Sequence, residues 1–256
     1  MNRPIFVVGC PGSGTTLLFT MLESHSNISC GNETDFLVDF RSLVEGKYWK
    51  KLQEYNSESK YWHGVIADMF NRFKEDYALK YGKKRWADKT PSYTPHIDFI
   101  HALFPDCQII HIIRDGRDVV MSARTRWGYK SAVSLIYKWR DYIQAARNYG
   151  KTMPSDQYFE VRYEDLVDRP ESSSKSIFEY LQEPWEQKVL MFDKSSSYNP
   201  EGGYERYTEE VRKKEKAEGF VYRSRVGTGQ KLDPLLKSIM YFSDGELLKE
   251  LGYVDG

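Results

Sequence analysis

PIFVVGCPGSGTTLL, residues 4–18, joins an apolar run to a glycine-rich turn and then to a helix-forming segment. Ile5, Phe6, Val7 and Val8 form the continuous apolar run of a strand covered on both faces, while Gly9, Gly12 and Gly14 let the following backbone approach a ligand. Ser13, Thr15 and Thr16 open a helix whose free amides and positive dipole end favour an anion. Pro11, Gly12, Ser13, Gly14, Thr15 and Thr16 are therefore candidate phosphate-binding residues. Aligned on the pattern GxxxxGK[ST], Gly9, Gly14 and Thr16 fit, but Thr15 stands at the lysine position. Without that lysine the loop lacks its contact to β and γ phosphates, which disfavours a nucleoside triphosphatase. A plain strand-to-helix turn is the alternative, and it leaves the agreement of glycines, hydroxyls and flanking apolar periods unexplained.

QIIHIIRDGRDVVMSARTR, residues 108–126, supplies a second junction of the same kind. Another apolar strand ends in Arg114 and passes through Asp115 and Gly116 into a helix. Ligands sit at the carboxyl edge of an open parallel sheet, so two such junctions imply one nucleotide carrying phosphates at two places. Ser122 and Arg126 are four residues apart on one helix face and are candidates to clamp the phosphate that Arg114 reaches. Surface ion pairing among Arg114, Asp115, Arg117 and Asp118 is the competing reading.

These residues resemble the sulfotransferases that use 3′-phosphoadenosine-5′-phosphosulfate (PAPS). GCPGSGTTLL looks like the family's 5′-phosphosulfate loop. IIRDGRDVVMSARTR looks like its 3′-phosphate motif, with arginine and serine eight positions apart. VRYEDLVDRPE at 161–171 resembles the next strand and turn, and the terminal LLKELGY the usual last helix. The likeness is nearest to the group of tyrosylprotein sulfotransferases and their bacterial relatives, because CGNETDFL at 30–37 and DKTPSY at 88–93 fall where that group carries a catalytic glutamate and lysine. The resemblance implies a P-loop NTPase-like sulfotransferase fold, PAPS as donor and adenosine 3′,5′-bisphosphate (PAP) as product. It also implies that Tyr163 and the RVGTG loop, with Arg225 and Gly227, close over the nucleotide. At Gly12 family members commonly carry lysine or arginine, so Lys89, with the amides of residues 13–16, is the candidate for meeting charge on the departing oxygen.

Length and composition agree with one α/β domain over 1–256: the 256 residues are 40% apolar and carry 37 basic and 37 acidic residues, for zero formal charge. A polyanionic partner such as nucleic acid would call for a basic excess, and only VRKKEK at 211–216 comes near, read here as a solvated helix face. Cys10, Cys30 and Cys107 flank apolar stretches and read as buried thiols in a reducing compartment, without a structural disulfide. The expectation is that no secretory signal precedes the first strand, and no run approaches the roughly twenty apolar residues that cross a bilayer. The expectation is a cytoplasmic protein with no membrane partner, unlike the Golgi-anchored animal members that the resemblance brings to mind. Oligomeric state is not readable.

Strands are predicted over 5–9, 28–31, 85–89, 108–114 and 158–162, with helices over 15–24, 61–81, 95–103, 118–126, 131–149, 171–181 and 232–241. This alternation predicts a central parallel sheet flanked by helices. The polar stretch 194–207 is a candidate lid or a plain surface loop.

Direct in-line transfer needs a base at the acceptor hydroxyl. Glu33, just past the second strand and at the same sheet edge as the phosphate loop, is the candidate, against a reading as a first-turn acid near Thr34 and Asp35. His63 and His96 are the next choices, and His111, within a strand, is read as packed core. No metal is expected, since no His/Cys cluster has ligand spacing. Tyr48, Trp49, Tyr55, Tyr61, Trp62, Phe70 and Phe73, with Trp127 and Tyr129, either line an acceptor pocket or belong to the core. A small hydroxylated metabolite is the first acceptor choice, then a carbohydrate, then a peptide tyrosine. A P-loop-type kinase and an inactive nucleotide-binding homologue stay open.

Overall fold

Ile5 and Val7 turn to one face of the sheet and Phe6 and Val8 to the other, as the two-residue repeat of an extended chain requires, and both faces are covered by apolar side chains. In the computed structural model, which describes residues 3–191 and 223–254, this strand, β1 (Ile5–Val8), is the centre of a five-stranded sheet. β2 (Ile28–Ser29), β3 (Arg85–Lys89), β4 (Gln108–Ile113) and β5 (Tyr158–Arg162) complete it in the order β2-β3-β1-β4-β5, every pair parallel. Helix α1 (Thr15–Glu23) carries the chain from β1 to β2. After β3 the chain crosses to the other side of β1, and this reversal opens a crevice at the carboxyl ends of the strands. Register places Val7 opposite both Lys89 and Ile110, so the loops after β1, β3 and β4 emerge side by side.

Three apolar clusters hold the layers. One packs Ile5, Val7, Ile110 and Ile112 against α1 and α9 (Pro170–Tyr180). A second packs Phe6, Val8 and Ile109 against α4 (Ser59–Lys80) and α5 (Ile97–Leu103). The third gathers α6 (Gly116–Trp127), α7 (Tyr129–Gly150) and α10 (Pro234–Glu250) around Trp139, whose indole N–H donates to the Arg114 carbonyl at 3.0 Å.

The predicted elements are present with shifted ends. β2 keeps only two residues because Gly31 takes φ +67°, turning the chain towards Glu33. α10 runs nine residues past the expected end at Tyr241: Ser243, Asp244 and Gly245 are weak helix formers, but Met240, Leu247 and Leu248 are buried and keep the segment helical. Its final turn is Leu247–Glu250, with Leu251 as the C-cap, so it carries the LLKE of the terminal stretch. The short helices α2 (Leu37–Ser42), α3 (Trp49–Tyr55) and α8 (Tyr163–Asp168) were not expected. α8 stops before Arg169 because the residue preceding a proline disfavours helical geometry, and Pro170 then begins α9. The stretches 194–207 and 211–216 lie outside the described residues. Cys10, Cys30 and Cys107 are buried and free, and burial pushes all three thiols up, Cys107 to about 12. No described helix is long and apolar enough to cross a membrane.

Candidate functional site

The turn after β1 closes through a hydrogen bond from the Ser13 amide to the Cys10 carbonyl at 2.9 Å. Gly14 at the α1 N-cap takes φ +99°, in the left-handed region, and a Cβ there would lie 2.9 Å from Tyr163 Cε2 and closer still to its Cδ2. Only glycine lets this backbone sit against the ring. No side chain caps α1 and no acid occupies its first turn, so its positive end faces the crevice unneutralised. Thr94 holds the strand end from below, accepting from the Gly9 amide at 2.9 Å.

Glu33 and Lys89 form an ion pair. Lys89, the last residue of β3, is buried and its ammonium also stands 5.5 Å from the Phe19 ring centre, whereas the Glu33 side chain is 22% exposed. Behind them lies a polar network centred on Asp88, which is wholly buried. Its carboxylate accepts from Lys74 Nζ at 3.1 Å, Thr34 Oγ1 at 3.1 Å and Thr90 Oγ1 at 2.7 Å. Lys74 also donates to the Cys30 carbonyl at 2.6 Å, and the Thr34 amide donates to Thr90 Oγ1 at 3.1 Å. Lys74, Asp88, Thr34 and Thr90 thus tie the loop carrying Glu33 to the strand end carrying Lys89. The Tyr93 hydroxyl adds a contact of 2.6 Å to Thr34 Oγ1 and accepts from the Leu37 amide at 3.1 Å.

At the second junction Asp115 caps α6, accepting from the Arg117 amide at 2.9 Å. Arg114 is buried. It donates through Nη1 to the Gly12 carbonyl at 2.9 Å and through Nη2 to the Arg225 carbonyl, and its guanidinium lies 4.4 Å from the Tyr163 ring centre. Among the described residues its Nε has no hydrogen-bond partner. A Cβ on Gly12 would lie 3.7 Å from Ser122 Cβ, which puts that serine beside the phosphate loop. Arg126 follows one turn later on the same helix. Burial pushes the Tyr163 phenol up, with Arg114 and Arg225 pulling against it, and burial likewise raises Glu164, whose carboxylate accepts from the Asp115 amide. The phosphate loop, Arg114, Ser122, Tyr163 and the 225–229 turn therefore meet at one place, and Glu33 and Lys89 stand at the same sheet edge.

A cavity of about 590 Å³ opens beside Glu33, with Pro11, Ser92, Trp127, Lys130, Lys138 and Tyr142 among its lining residues. None of the aromatic residues at 48, 49, 55, 61, 62, 70 and 73 lines it. Phe70 is core, while Tyr55 and Tyr61 face outward because the helical period carries them away from the sheet. Tyr129 stacks with Arg124 at 5.3 Å instead. His63 and His96 are not among the cavity's lining residues; His96 contacts Arg41 Nη1 at 3.2 Å, and burial together with that guanidinium lowers its pKa. His111 is core, bonded to the Tyr158 hydroxyl at 2.7 Å. Sequence reading missed Lys74, Thr94 and Asp118. Lys74 sits in a long polar helix and gives no signal, whereas DKTPSY had already placed Asp88, Thr90 and Tyr93 in one motif. Among the described residues no cluster of three His, Cys, Asp or Glu side chains has metal-binding geometry.

A model of the Sulfotransferase family matches residues 4–187. Protein-tyrosine sulfotransferase A of Caenorhabditis elegans is 30% identical over 199 residues, covering 73% of this chain and 51% of the relative. Protein-tyrosine sulfotransferase of Drosophila melanogaster is 29% identical over 198 residues, covering 73% and 39%. The chain thus spans about half or less of the length of these curated relatives. The sulfotransferase domain of the Synechococcus PCC 7002 olefin synthase shares the fold with a TM-score of 0.70 at 20% identity, covering 99% of this chain and 96% of that one. Mouse sulfotransferase SULT7A1 complexed with PAP aligns with a TM-score of 0.53 at 16% identity, covering 98% and 89%. Because the family match runs from the first strand to residue 187, taking in both glycine-bearing strand-to-helix junctions and the Glu33–Lys89 pair, this chain belongs to the Sulfotransferase family.

Proposed function

We propose that the chain transfers a sulfuryl group from PAPS to a hydroxyl or phenol of a small metabolite or glycan. The observation that carries this reading is the Glu33–Lys89 pair, set at the same sheet edge as an uncapped helix N-terminus and a buried arginine. The residues fit the nucleotide: α1 offers its positive end, Ser122 stands beside the loop, and Arg114 keeps a buried Nε donor without an acceptor among the described residues. The family and a structural neighbour complexed with PAP support the same donor. PAPS supplies an activated sulfuryl group when bound.

Glu33, the more exposed partner of the ion pair, takes the acceptor's proton as the acceptor oxygen bonds to sulfur. Lys89 then meets the negative charge on the oxygen that sulfur leaves, helped by the loop amides, and PAP departs. Sulfuryl carries less charge than phosphoryl, so these groups suffice without a metal in this account. Arg114, Ser122 and Arg126 hold the 3′-phosphate, with Tyr163, Arg225 and Gly227 around it. The cavity volume supports a small acceptor, and the buried thiols support a reducing, cytoplasmic setting. The whole chain, 1–256, is taken as one catalytic domain acting on small molecules, without a nucleic-acid or membrane partner.

Transfer of label from [³⁵S]PAPS to a panel of phenols, alcohols and sugars tests this. Glu33→Gln is expected to lower turnover on the order of 10²- to 10⁴-fold with nucleotide affinity retained. Undiminished turnover in that variant removes Glu33 as base, and nucleotide binding without turnover on any acceptor leaves an inactive homologue.

A further inference from the structure

One carboxylate holds the 225–229 turn in place. Asp118, in the first turn of α6, is 1% exposed. Its Oδ2 accepts from the Gly227 amide at 2.9 Å, and its Oδ1 accepts from the Gly229 amide at 2.6 Å and from Thr228 Oγ1 at 3.2 Å. Arg114 Nη2 lies 3.7 Å from Asp118 Oδ2 and donates to the Arg225 carbonyl in the same turn. The same turn is pressed onto the start of α6, since a Cβ on Gly229 would stand 2.6 Å from the Arg117 carbonyl carbon. A carboxylate this buried persists only when its oxygens are satisfied, and here the turn supplies three donors beside the positive end of α6.

We propose that Asp118 is the positioning residue for 3′-phosphate recognition: it docks the 225–229 turn across Arg114, so that Nη1 and Nη2 are committed to backbone carbonyls and the Nε edge is presented to the phosphate. The inference rests on the nucleotide reading above. Electrostatics and positioning predict opposite outcomes. A buried anion near a phosphate site repels the phosphate, so neutralising Asp118 would tighten binding if charge were its only influence. If it positions the turn, neutralising it to asparagine turns one acceptor oxygen into a donor, strands either the Gly227 amide or the Gly229 amide with the Thr228 hydroxyl, loosens the Arg225 carbonyl from Arg114 and weakens binding.

Calorimetric titration of the full chain with PAP and with adenosine 5′-phosphate, which lacks the 3′-phosphate, separates the two. Asp118→Asn is expected to weaken PAP at least about tenfold and adenosine 5′-phosphate less than about twofold, so that discrimination falls. Gly229→Ala leaves the carboxylate intact, displaces the turn from α6 by crowding Arg117, and is expected to lower discrimination in the same way; it decides the matter if Asp118→Asn does not fold. Unchanged or tighter PAP binding in the folded variants overturns the inference while leaving the sulfotransferase reading intact. A wild-type protein indifferent to the 3′-phosphate overturns the nucleotide reading and this inference with it.

Discussion

Replacing Gly14 by alanine puts a methyl group into the Tyr163 ring, and replacing Gly12 by alanine does not, although both residues occupy left-handed backbone at φ +99° and +93°. At Gly12 the nearest atoms to a new Cβ are Val119 Cγ1 and the Val119 carbonyl oxygen at 3.6 Å, ordinary contact. That variant therefore carries only the conformational cost of a left-handed non-glycine residue, about 1–3 kcal/mol. At Gly14 the same cost is joined by overpacking against Tyr163 Cε2 at 2.9 Å and Ile112 Cδ1 at 3.3 Å. Overpacking adds about 1–3 kcal/mol more, for a total of about 2–6. The Tyr163 ring is also the face on which Arg114 stacks, so its displacement loosens the seat of Arg114 as well as the core. Urea unfolding of the two variants side by side measures the difference directly, with the expected gap about 1–3 kcal/mol at unchanged m-value. Equal destabilisation by the two substitutions would refute the argument that Gly14 is required for close approach.

Lys74→Met removes the cation from a pair in which both partners are buried, leaving Asp88 charged in the core, and is expected to cost about 3–5 kcal/mol in urea unfolding. A loss below about 1 kcal/mol would show that the two threonine hydroxyls alone satisfy the carboxylate. Asp244 on α10 is buried with Oδ2 unpartnered among the described residues, and burial raises its carboxyl to about 6. Because the folded form binds its proton more tightly than the unfolded chain, this group makes stability fall as pH rises from about 4 to about 6. Asp244→Asn is accordingly expected to raise the thermal midpoint at pH 7 and leave it nearly unchanged at pH 4; an equal shift at both values would exclude the titration as the cause.

The parts legible in the sequence were those encoded locally. An apolar run, three glycines and a row of hydroxyls describe the β1–α1 junction without tertiary information, and QIIHIIRDG does the same for β4 and α6. Parallel order then brings the ends of β2 and β3 together next to β1, which is where the sequence put Glu33 just past the second strand and the family resemblance put Lys89. What depended on long-range packing was not. Lys74 looks like any lysine of a polar helix until α4 is laid over β3, and Asp118 reads as a surface acid until the 225–229 turn, more than a hundred residues later, arrives to cover it. The aromatic residues of the 36–81 insert have helical spacing that admits a pocket as well as the core. Packing against Trp86 and Phe104 sends Phe70 to the core, while the cavity beside Glu33 takes its walls from α7.

The central claim is that the site is built for a nucleotide with a 3′-phosphate, read by Arg114. Calorimetric titration in EDTA with PAP, adenosine 5′-phosphate and ATP tests it most directly, with Arg114→Ala beside the wild type. The account predicts tight binding of PAP alone, lost on the order of a hundredfold in Arg114→Ala, in keeping with removal of a charge-assisted donor to phosphate. Preference for ATP restored by magnesium, or PAP affinity unchanged in the variant, would contradict it.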